Sequence, residues 1–253
     1  MRFDDMTYLI TGASRGIGRA AALGLARRGA TVAVHYGANE AAAAHVLSEV
    51  MEHGGSGFTV QGDLADPAAA QRILARVREG LSSLGVAPAL DGIVLSAGAL
   101  VLGDLAHLTV EEFDRAMAVN VRAPLFLVKE ALDLLRDDAR IVTVSAAIAR
   151  MAEPVMLAQA AAKLALQGVS RTLAATLGPR GIRVLDVAPG VVRTDLAAPW
   201  LSDAAYAAEV AAATALGRAS EPEDVADAIV ALLSPEAAWI TGQSIEVSGG
   251  YRL

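Results

Sequence analysis

The chain has 253 residues, of which 54% are hydrophobic, and its formal net charge is −7 with a pI near 5.1. This charge disfavours nucleic acid, which requires clustered lysine and arginine, and no apolar run reaches the roughly 18 residues of a membrane span. The sequence lacks cysteine, which excludes disulfides and thiolate metal sites, and its four histidines are scattered, so metal catalysis is not expected. We expect a single domain over residues 1–253 that acts on a small molecule.

Short β-branched runs alternate with longer helical patterns along the chain. The first run begins a few residues from the N-terminus, which leaves no room for a signal peptide and predicts a cytoplasmic location. Strands are predicted at 8–11, 31–35, 57–61, 92–96, 140–145, 183–187 and 244–247. The alternation predicts an α/β, doubly wound Rossmann domain: a mostly parallel seven-stranded sheet with helices on both faces. Ligands of such sheets bind beyond the carboxyl ends of the strands, so functional residues should follow strands.

A glycine-rich turn follows the first strand and opens onto a helix. Gly12 and Gly16 would let the backbone approach a pyrophosphate, and Gly18 would allow tight helix packing. The helix N-terminus offers unpaired N–H groups and positive dipole to an anion. The turn therefore predicts a dinucleotide site that is formed by Gly12, Ser14, Arg15, Gly16, Ile17 and Gly18.

The end of the second strand bears on which dinucleotide binds. An acidic residue there would hold the free ribose hydroxyls of NAD(H), but the first acid after His35 is Glu40. Arg15 and Asn39 instead supply donors for a 2′-phosphate. We expect NADP(H) to be preferred, with NAD(H) possible.

The stretch from Val191 to about Ala219 breaks the alternation. It carries Pro199, Trp200 and Tyr206 in weakly periodic, alanine-rich sequence. Long insertions in compact domains are usually functional, so we interpret 191–219 as a substrate lid, with an ordinary pair of surface helices as the alternative.

Lys163 is one of only two lysines, and it ends a run from Pro154 that contains no serine or tyrosine. If this run is helical, Gln159 lies one turn before Lys163 on the same face. An amide is not a proton donor at neutral pH. Any chemistry beside Lys163 must therefore work with a neighbour that only forms hydrogen bonds.

Further motifs follow in a characteristic order. They are Gly62-Asp63-Leu64, Ser96-Ala97-Gly98, Asn120 between two valines, Pro189-Gly190 with Thr194, and glycine-containing signatures from Leu216 to Gly250. With the glycine turn, they make the chain resemble the short-chain dehydrogenase/reductase superfamily from Tyr8 almost to its last residue, in the style of β-ketoacyl carrier-protein reductases. The resemblance implies cofactor contacts at Asp63, Leu64, Ser96, Ala97, Gly98, Lys163, Pro189, Gly190, Val192 and Thr194. It also implies catalytic roles for Lys163 and for Asn120, which would hold a proton-relay water.

The chain departs from this family at the reaction centre. In the family, a serine follows the fifth strand and a tyrosine lies four residues before the lysine. Counting back from Lys163 without a gap places the tyrosine position at Gln159 and the serine position at Ala146. Ser145 is adjacent, but consecutive strand residues face opposite sides, so Ser145 should point away unless the strand bulges.

Three functional hypotheses remain open at this stage. The first is an atypical NADP(H)-dependent carbonyl reductase that acts on an activated acceptor, such as a quinone-like or internally hydrogen-bonded carbonyl. The second is a catalytically silent subunit that assembles with an active homologue, since the family forms dimers and tetramers through helices corresponding to 110–135 and 155–177. The third is a non-redox lyase or isomerase with Lys163 as its base.

Overall fold

The strands lie close to their predicted positions in the computed structural model, which describes residues 2–253. They are β1 (Thr7–Thr11), β2 (Thr31–Tyr36), β3 (Ser56–Gln61), β4 (Leu90–Leu95), β5 (Leu135–Val144), β6 (Arg183–Pro189) and β7 (Ser244–Val247). They form one sheet in the order β3-β2-β1-β4-β5-β6-β7, and every neighbouring pair is parallel. The predicted doubly wound α/β fold is confirmed. The order reverses between β1 and β4, which places the ligand-binding crevice beyond their carboxyl ends.

Helices cover both faces of the sheet. They are α1 (Gly16–Ala26), α2 (Glu40–Glu52), α3 (Ala69–Ser83), α4 (Val110–Met117), α5 (Ala123–Glu130), α6 (Leu157–Leu177), α7 (Ala198–Leu201), α8 (Ala204–Ala212) and α9 (Pro222–Leu232). One apolar cluster packs α1, α2 and α9 on one face, and a second packs α3, α5 and α6 on the other. This double burial explains why the central strands are apolar on both sides.

The largest difference from the predicted strands is at β5, which begins at Leu135 rather than Arg140. Leu135 pairs with Leu90, and the register then shifts so that Arg140 pairs with Gly92. The intervening residues form a bulge in which Asp138 has a φ of +63°. Their charged sequence is typical of a loop, so periodicity alone could not assign them to a strand.

The predicted helical region 110–135 is divided into α4, a π-helical turn (Ala118–Arg122) and α5. A capping box starts α4: the Thr109 hydroxyl accepts from the N–H of Glu112, and the Glu112 carboxylate accepts from the N–H of Thr109. The π-turn widens the helix at Asn120. Single π-turns inside α-helices are frequent at functional sites.

The segment predicted as a lid contains α7 and α8 together with extended connections. Leu201 and Tyr206 of this segment, together with Met151 from the loop after β5, pack against a small core of Val210, Ala219 and Tyr251. The segment and the loop after β5 therefore share one apolar cluster. None of the helices within residues 2–253 is long and apolar enough to span a membrane.

Candidate active site

The glycine turn after β1 is a cradle of bare backbone at the carboxyl edge of the sheet. Gly12 has a φ of +65°, and a Cβ there would lie 2.8 Å from Ala97 Cα. A Cβ on Gly18 would collide with the carbonyl oxygen of Gly12. The residue before α1, Arg15, makes no side-chain capping bond within the described chain, residues 2–253. Close backbone approach and uncapped N–H groups are what a pyrophosphate requires, so the turn fits a dinucleotide.

A buried histidine holds this cradle in place. The N–H of Gly12 donates to Nδ1 of His35 at 3.2 Å, and Nε2 lies 3.1 Å from the carbonyl oxygen of Gly62. Because Nδ1 accepts, the ring hydrogen resides on Nε2 and is donated to Gly62, so the imidazole is neutral. Burial lowers the pKa of His35 to about 4. The histidine therefore ties the turn, β2 and the end of β3 together.

The residues predicted to bind a 2′-phosphate follow β1 and β2. Arg15 is exposed, and its Nη1 lies 3.9 Å from a carboxylate oxygen of Asp195. Asn39 caps α2 by accepting from the N–H of Ala42 at 3.0 Å, which leaves its amide N–H₂ group as a donor. The first acid, Glu40, is already inside α2. Each predicted residue thus retains a donor for an anion.

The motifs after β3 and β4 lie on the same edge of the sheet. Asp63 is exposed, whereas Leu64 is buried in the core beneath it. Ser96 and Ala97 are half-buried, and Gly98 is exposed. The structure therefore brings these predicted residues to the edge of the crevice. The side chain of Leu64 is the exception, because it packs in the core.

The segment after β6 closes over the glycine turn. A Cβ on Gly16 would lie 3.2 Å from Cγ2 of Thr194, so the Thr194 side chain lies against the backbone of Gly16. Pro189 ends β6, and a Cβ on Gly190 would lie 3.0 Å from Ser248 Cβ. Val192, the last predicted residue here, is buried and bridges to Ser220.

Lys163 lies on α6 with its side chain buried against β5. Its Nζ donates to the carbonyl oxygen of Val144 at 2.8 Å, and only 6% of the residue is exposed. Burial lowers the pKa of Lys163 to about 8, while the negative charge of Asp186 acts in the opposite direction. Below pH 8 the ammonium group is mainly charged, and two of its three N–H donors remain for other partners.

Asn120 faces the same small space as Lys163. Its Nδ2 donates to two main-chain carbonyl groups, both at 2.9 Å. Its Oδ1 is buried and has no hydrogen-bond partner within residues 2–253. A Cβ placed on Gly98 would lie 3.0 Å from this oxygen and 3.5 Å from Nζ of Lys163, so both polar atoms border the backbone of Gly98.

Gln159 lies one helical turn before Lys163, as predicted, and only 6% of it is exposed. Its Oε1 is buried without a partner among residues 2–253. Ala146 is half-buried at the end of β5 with extended backbone angles. The structure thus brings Asn120, Gln159 and Lys163 into one region, and Ala146 follows the strand whose carbonyl anchors the lysine.

A buried carboxylate, Asp186, lies behind this site on β6. It accepts hydrogen bonds from the hydroxyls of Thr143 at 2.7 Å, Ser145 at 2.5 Å and Ser244 at 2.6 Å. Burial raises the pKa of Asp186, and the three hydroxyl donors act in the opposite direction. Ser145 is committed to this cluster. Because extended neighbours alternate, Ala146 points away from it.

Comparisons with known proteins support one assignment. Residues 12–252 match the family model described as enoyl-(acyl carrier protein) reductase. A hydroxynaphthalene reductase-like protein, Arp2 of Metarhizium brunneum, is 33% identical, with 96% of this chain and 93% of the relative covered. The chain belongs to the short-chain dehydrogenase/reductase superfamily.

Two solved structures of enzymes that reduce ketones have the same fold. The reductase LugOII, which catalyses keto-reduction at C1 in lugdunomycin biosynthesis, is 36% identical over all of both chains with a TM-score of 0.95. The angucycline C-6 ketoreductase LanV with bound NADP is 37% identical over 99% of this chain and 97% of that one, with a TM-score of 0.94. The coarse functional prediction is confirmed: the chain is a short-chain oxidoreductase related to ketoreductases.

The contacts by which three further residues organise the site of this short-chain oxidoreductase were not predicted from its sequence. The only sign of Asp186 in the sequence was a charged residue within the apolar run of β6. Gln167, one turn after Lys163, donates to the hydroxyl of Ser145 at 3.1 Å. Arg150 pairs with Glu246 through two hydrogen bonds, and it ties the loop after β5 to the C-terminal residues. These contacts join residues that are far apart in the sequence, so the periodicity of the sequence could not predict them.

The neutral state of His35 predicts a pH-dependent stability. The pKa is about 6.5 for an ordinary histidine and about 4 here, so the unfolded chain binds this proton more tightly. The stabilisation is complete above pH 6.5 and is lost as the pH falls towards 4, by about 3 kcal/mol in total. In the unmodified protein, His35 should therefore contribute to the fall in the free energy of unfolding between pH 7 and 4.5. In His35→Gln this contribution is absent, so urea denaturation should show a smaller fall over the same pH range.

The exposed His107 provides a matched control for this measurement. His107→Gln should retain the pH dependence of the unmodified protein, because the His107 side chain stays exposed on folding and its pair with Asp104 lies at the surface. An identical pH dependence in His35→Gln and His107→Gln would contradict the assignment.

The charge of Asp186 predicts the direction in which Lys163 responds to substitution. Asp186→Asn removes a negative charge that raises the pKa of Lys163, so that pKa should fall further below about 8. Because the chain has two lysines, carbon-13 labelling at lysine Cε gives two NMR signals to follow against pH. As a control, Asp91→Asn, on the same sheet but at the start of β4, should leave the titration midpoint of Lys163 unchanged. Equal Lys163 midpoints in all three proteins would show that Asp186 does not act on Lys163.

Proposed function

We propose that this short-chain oxidoreductase reduces an activated aromatic carbonyl with NADPH and does so without the serine and tyrosine of its family. The observation that carries the proposal is the buried position of Lys163. Its ammonium group donates to the Val144 carbonyl, and the residue lies beside Gln159. It lies at the same edge of the sheet as the glycine cradle. A buried cation that keeps two N–H donors next to a dinucleotide cradle supports chemistry that develops negative charge on a substrate.

Each polar residue has a distinct part in this reaction. The dinucleotide, held by the glycine turn and by the segment after β6, supplies a hydride when it is bound. Lys163 provides positive charge for the alkoxide that forms on the carbonyl oxygen, and its lowered pKa of about 8 makes it a stronger acid than an ordinary lysine. Asn120 offers a buried acceptor for a water beside it. Gln159 donates a hydrogen bond but no proton.

The missing hydroxyls restrict the substrate. A positioned general acid contributes about 10² to 10⁴ in rate, and an oxyanion donor contributes a similar factor. An unactivated ketone, whose alkoxide is strongly basic, needs both contributions. A conjugated or internally hydrogen-bonded carbonyl spreads or screens its own charge, so it needs less from the protein. The relatives named for hydroxynaphthalene and angucycline reduction support an aromatic substrate of this kind.

A non-catalytic subunit is the second candidate, and one observation favours it. Phe126 on α5, Leu132 just after α5 and Leu164 on α6 are 41%, 41% and 57% exposed. These exposed apolar residues suit a dimer or tetramer formed with a second copy or with an active homologue.

NADPH is proposed over NADH because Arg15 and Asn39 offer donors where an acid would hold the ribose of NAD(H). Arg15→Ala should weaken NADPH binding by about 10-fold or more, the value of one charge-assisted hydrogen bond, and should change NADH binding little. Nicotinamide fluorescence measures both dissociation constants. Arg27→Ala, an exposed arginine at the far end of α1, is the control. Equal losses for both cofactors in Arg15→Ala would contradict a 2′-phosphate contact.

Anaerobic NADPH oxidation tests the reaction itself. The unmodified protein should reduce quinones and hydroxyaryl ketones above the uncatalysed rate and should leave cyclohexanone unreacted. The double variant Ala146→Ser with Gln159→Tyr should gain cyclohexanone reduction by about 10² or more, because it regains a proton donor.

The opposite result is equally informative. If NADPH binds but no acceptor is reduced by either protein, the reductase proposal fails and the non-catalytic subunit is favoured. Native mass spectrometry of the protein purified from its own host would then identify the companion chain.

A further inference from the structure

Two orphaned acceptors distinguish the reaction centre from the rest of the molecule. Within residues 2–253, the buried side-chain oxygen and nitrogen atoms that lack a hydrogen-bond partner are Oδ1 of Asn120 and Oε1 of Gln159. A buried polar atom without a partner destabilises the folded state, and folded proteins have few such atoms. Both atoms lie on side chains that neighbour Lys163. The site is therefore built for a ligand that brings its own hydrogen-bond donor.

We propose that this donor is a hydroxyl of the substrate itself: a phenol adjacent to the reacting ketone, which Gln159 recognises and which delivers the proton that the absent tyrosine would deliver. This inference rests on the proposed reductase function and names its substrate class, a hydroxyaryl ketone.

The carboxamide of Gln159 has the right pattern for such a substrate. It presents one donor side, Nε2, and one acceptor side, Oε1, in a single plane. A ketone with a neighbouring phenol presents one acceptor and one donor side by side. The two groups pair with Nε2 donating to the carbonyl oxygen and Oε1 accepting from the phenol. A tyrosine at this position would offer a single hydroxyl and would leave the substrate phenol without this partner.

The position of Gln159 on α6 supports this pairing with the substrate. The residue is buried in the first turns of α6, whose next turn carries Lys163, and that lysine is anchored to β5. Gln159 and Lys163 therefore lie one helical turn apart on the same face of α6. A substrate paired with the amide has its phenol oxygen close to a buried positive charge.

The proton balance closes without a protein acid. A hydride adds to the carbonyl carbon, the carbon–oxygen π bond breaks, and its electron pair becomes the alkoxide lone pair. The alkoxide is a much stronger base than an amide oxygen, so the phenol O–H turns from Oε1 of Gln159 to the alkoxide and gives up its proton there, and the phenol becomes a phenolate. The Lys163 ammonium stabilises that phenolate, and a proton from water restores the phenol. The sum is one ketone, one reduced nicotinamide dinucleotide and one proton giving one alcohol and one oxidised dinucleotide.

The chemistry of the phenol fits the role. An ordinary tyrosine phenol has a pKa of about 10, and a substrate phenol is the same functional group. A cation beside it lowers its pKa, as a neighbouring ammonium does for any acid. The substrate thus supplies the group that the sequence lacks at Gln159, while the chain keeps the cation that makes this group a usable acid.

A matched pair of substrates tests this inference: a bicyclic aryl ketone with a hydroxyl peri to the carbonyl, and the same ketone with that hydroxyl methylated. We expect the unmodified protein with NADPH to reduce the hydroxy compound at least about 10² times faster than the methyl ether, the contribution of one general acid. In Ala146→Ser with Gln159→Tyr this ratio should fall to within about 10-fold, because the protein then supplies the proton.

Binding gives a readout that does not depend on turnover. With NADP⁺ in place of NADPH, tryptophan fluorescence should show the methyl ether binding the unmodified protein about 10-fold or more weakly than the hydroxy compound. Gln159→Leu keeps the volume of the side chain and removes the amide, so it should bind both compounds equally. Gln71→Leu, an exposed glutamine on α3, should preserve the difference.

The outcomes separate this inference from the proposed function. Equal reduction and equal binding of the two ketones would overturn the substrate phenol as proton donor while leaving the reductase function intact. Failure of the protein to bind or reduce either ketone, with NADPH bound, would overturn both.

Discussion

The burial of one ammonium group underlies the arrangement of this site. Lys163 is enclosed between α6 and β5, where an isolated charge would be costly, and the Val144 carbonyl together with the nearby Asp186 offsets that cost. Asp186 in turn is buried, and it depends on three hydroxyls from β5 and β7. The cation therefore links three parallel strands and the helix that carries Gln159. Removing any one member would leave a buried charge or hydroxyl without its partner.

The cofactor end has an independent support. Gly12, Gly16 and Gly18 permit close backbone approach, but a glycine turn has many accessible conformations and needs an external constraint. His35 supplies it with a neutral ring that accepts from the turn and donates to the end of β3. The imidazole suits this position because one uncharged ring offers both an acceptor and a donor, whereas a charged ring would oppose the Gly12 N–H group.

Elements that depend on a local sequence pattern were predictable from the sequence, whereas contacts between segments that are distant in the sequence were not. The seven strands and the glycine turn each have a local signature, so they were placed to within a few residues, apart from the bulged start of β5. The spacing of Gln159 and Lys163 followed from helical geometry. The Asp186 cluster joins β6 to Thr143 and Ser145 at the end of β5 and to Ser244 on β7, and no period in the sequence relates these residues. The role of His35 was missed for the same reason, since a lone histidine in a strand gives no sign of what it contacts.

The proposed loss of two hydroxyls need not remove the whole catalytic apparatus, because the parts contribute in different ways. A general acid at the position of Gln159 would contribute a proton, a group that a phenolic substrate already carries. Lys163 contributes a buried charge, and the glycine cradle contributes orientation; a small molecule can supply neither. A chain that acts only on phenolic ketones would therefore gain little from a tyrosine but would still require the lysine. On this view, a buried Gln159 with an unsatisfied acceptor is what such a chain would keep, since its amide orients the substrate phenol that replaces the acid.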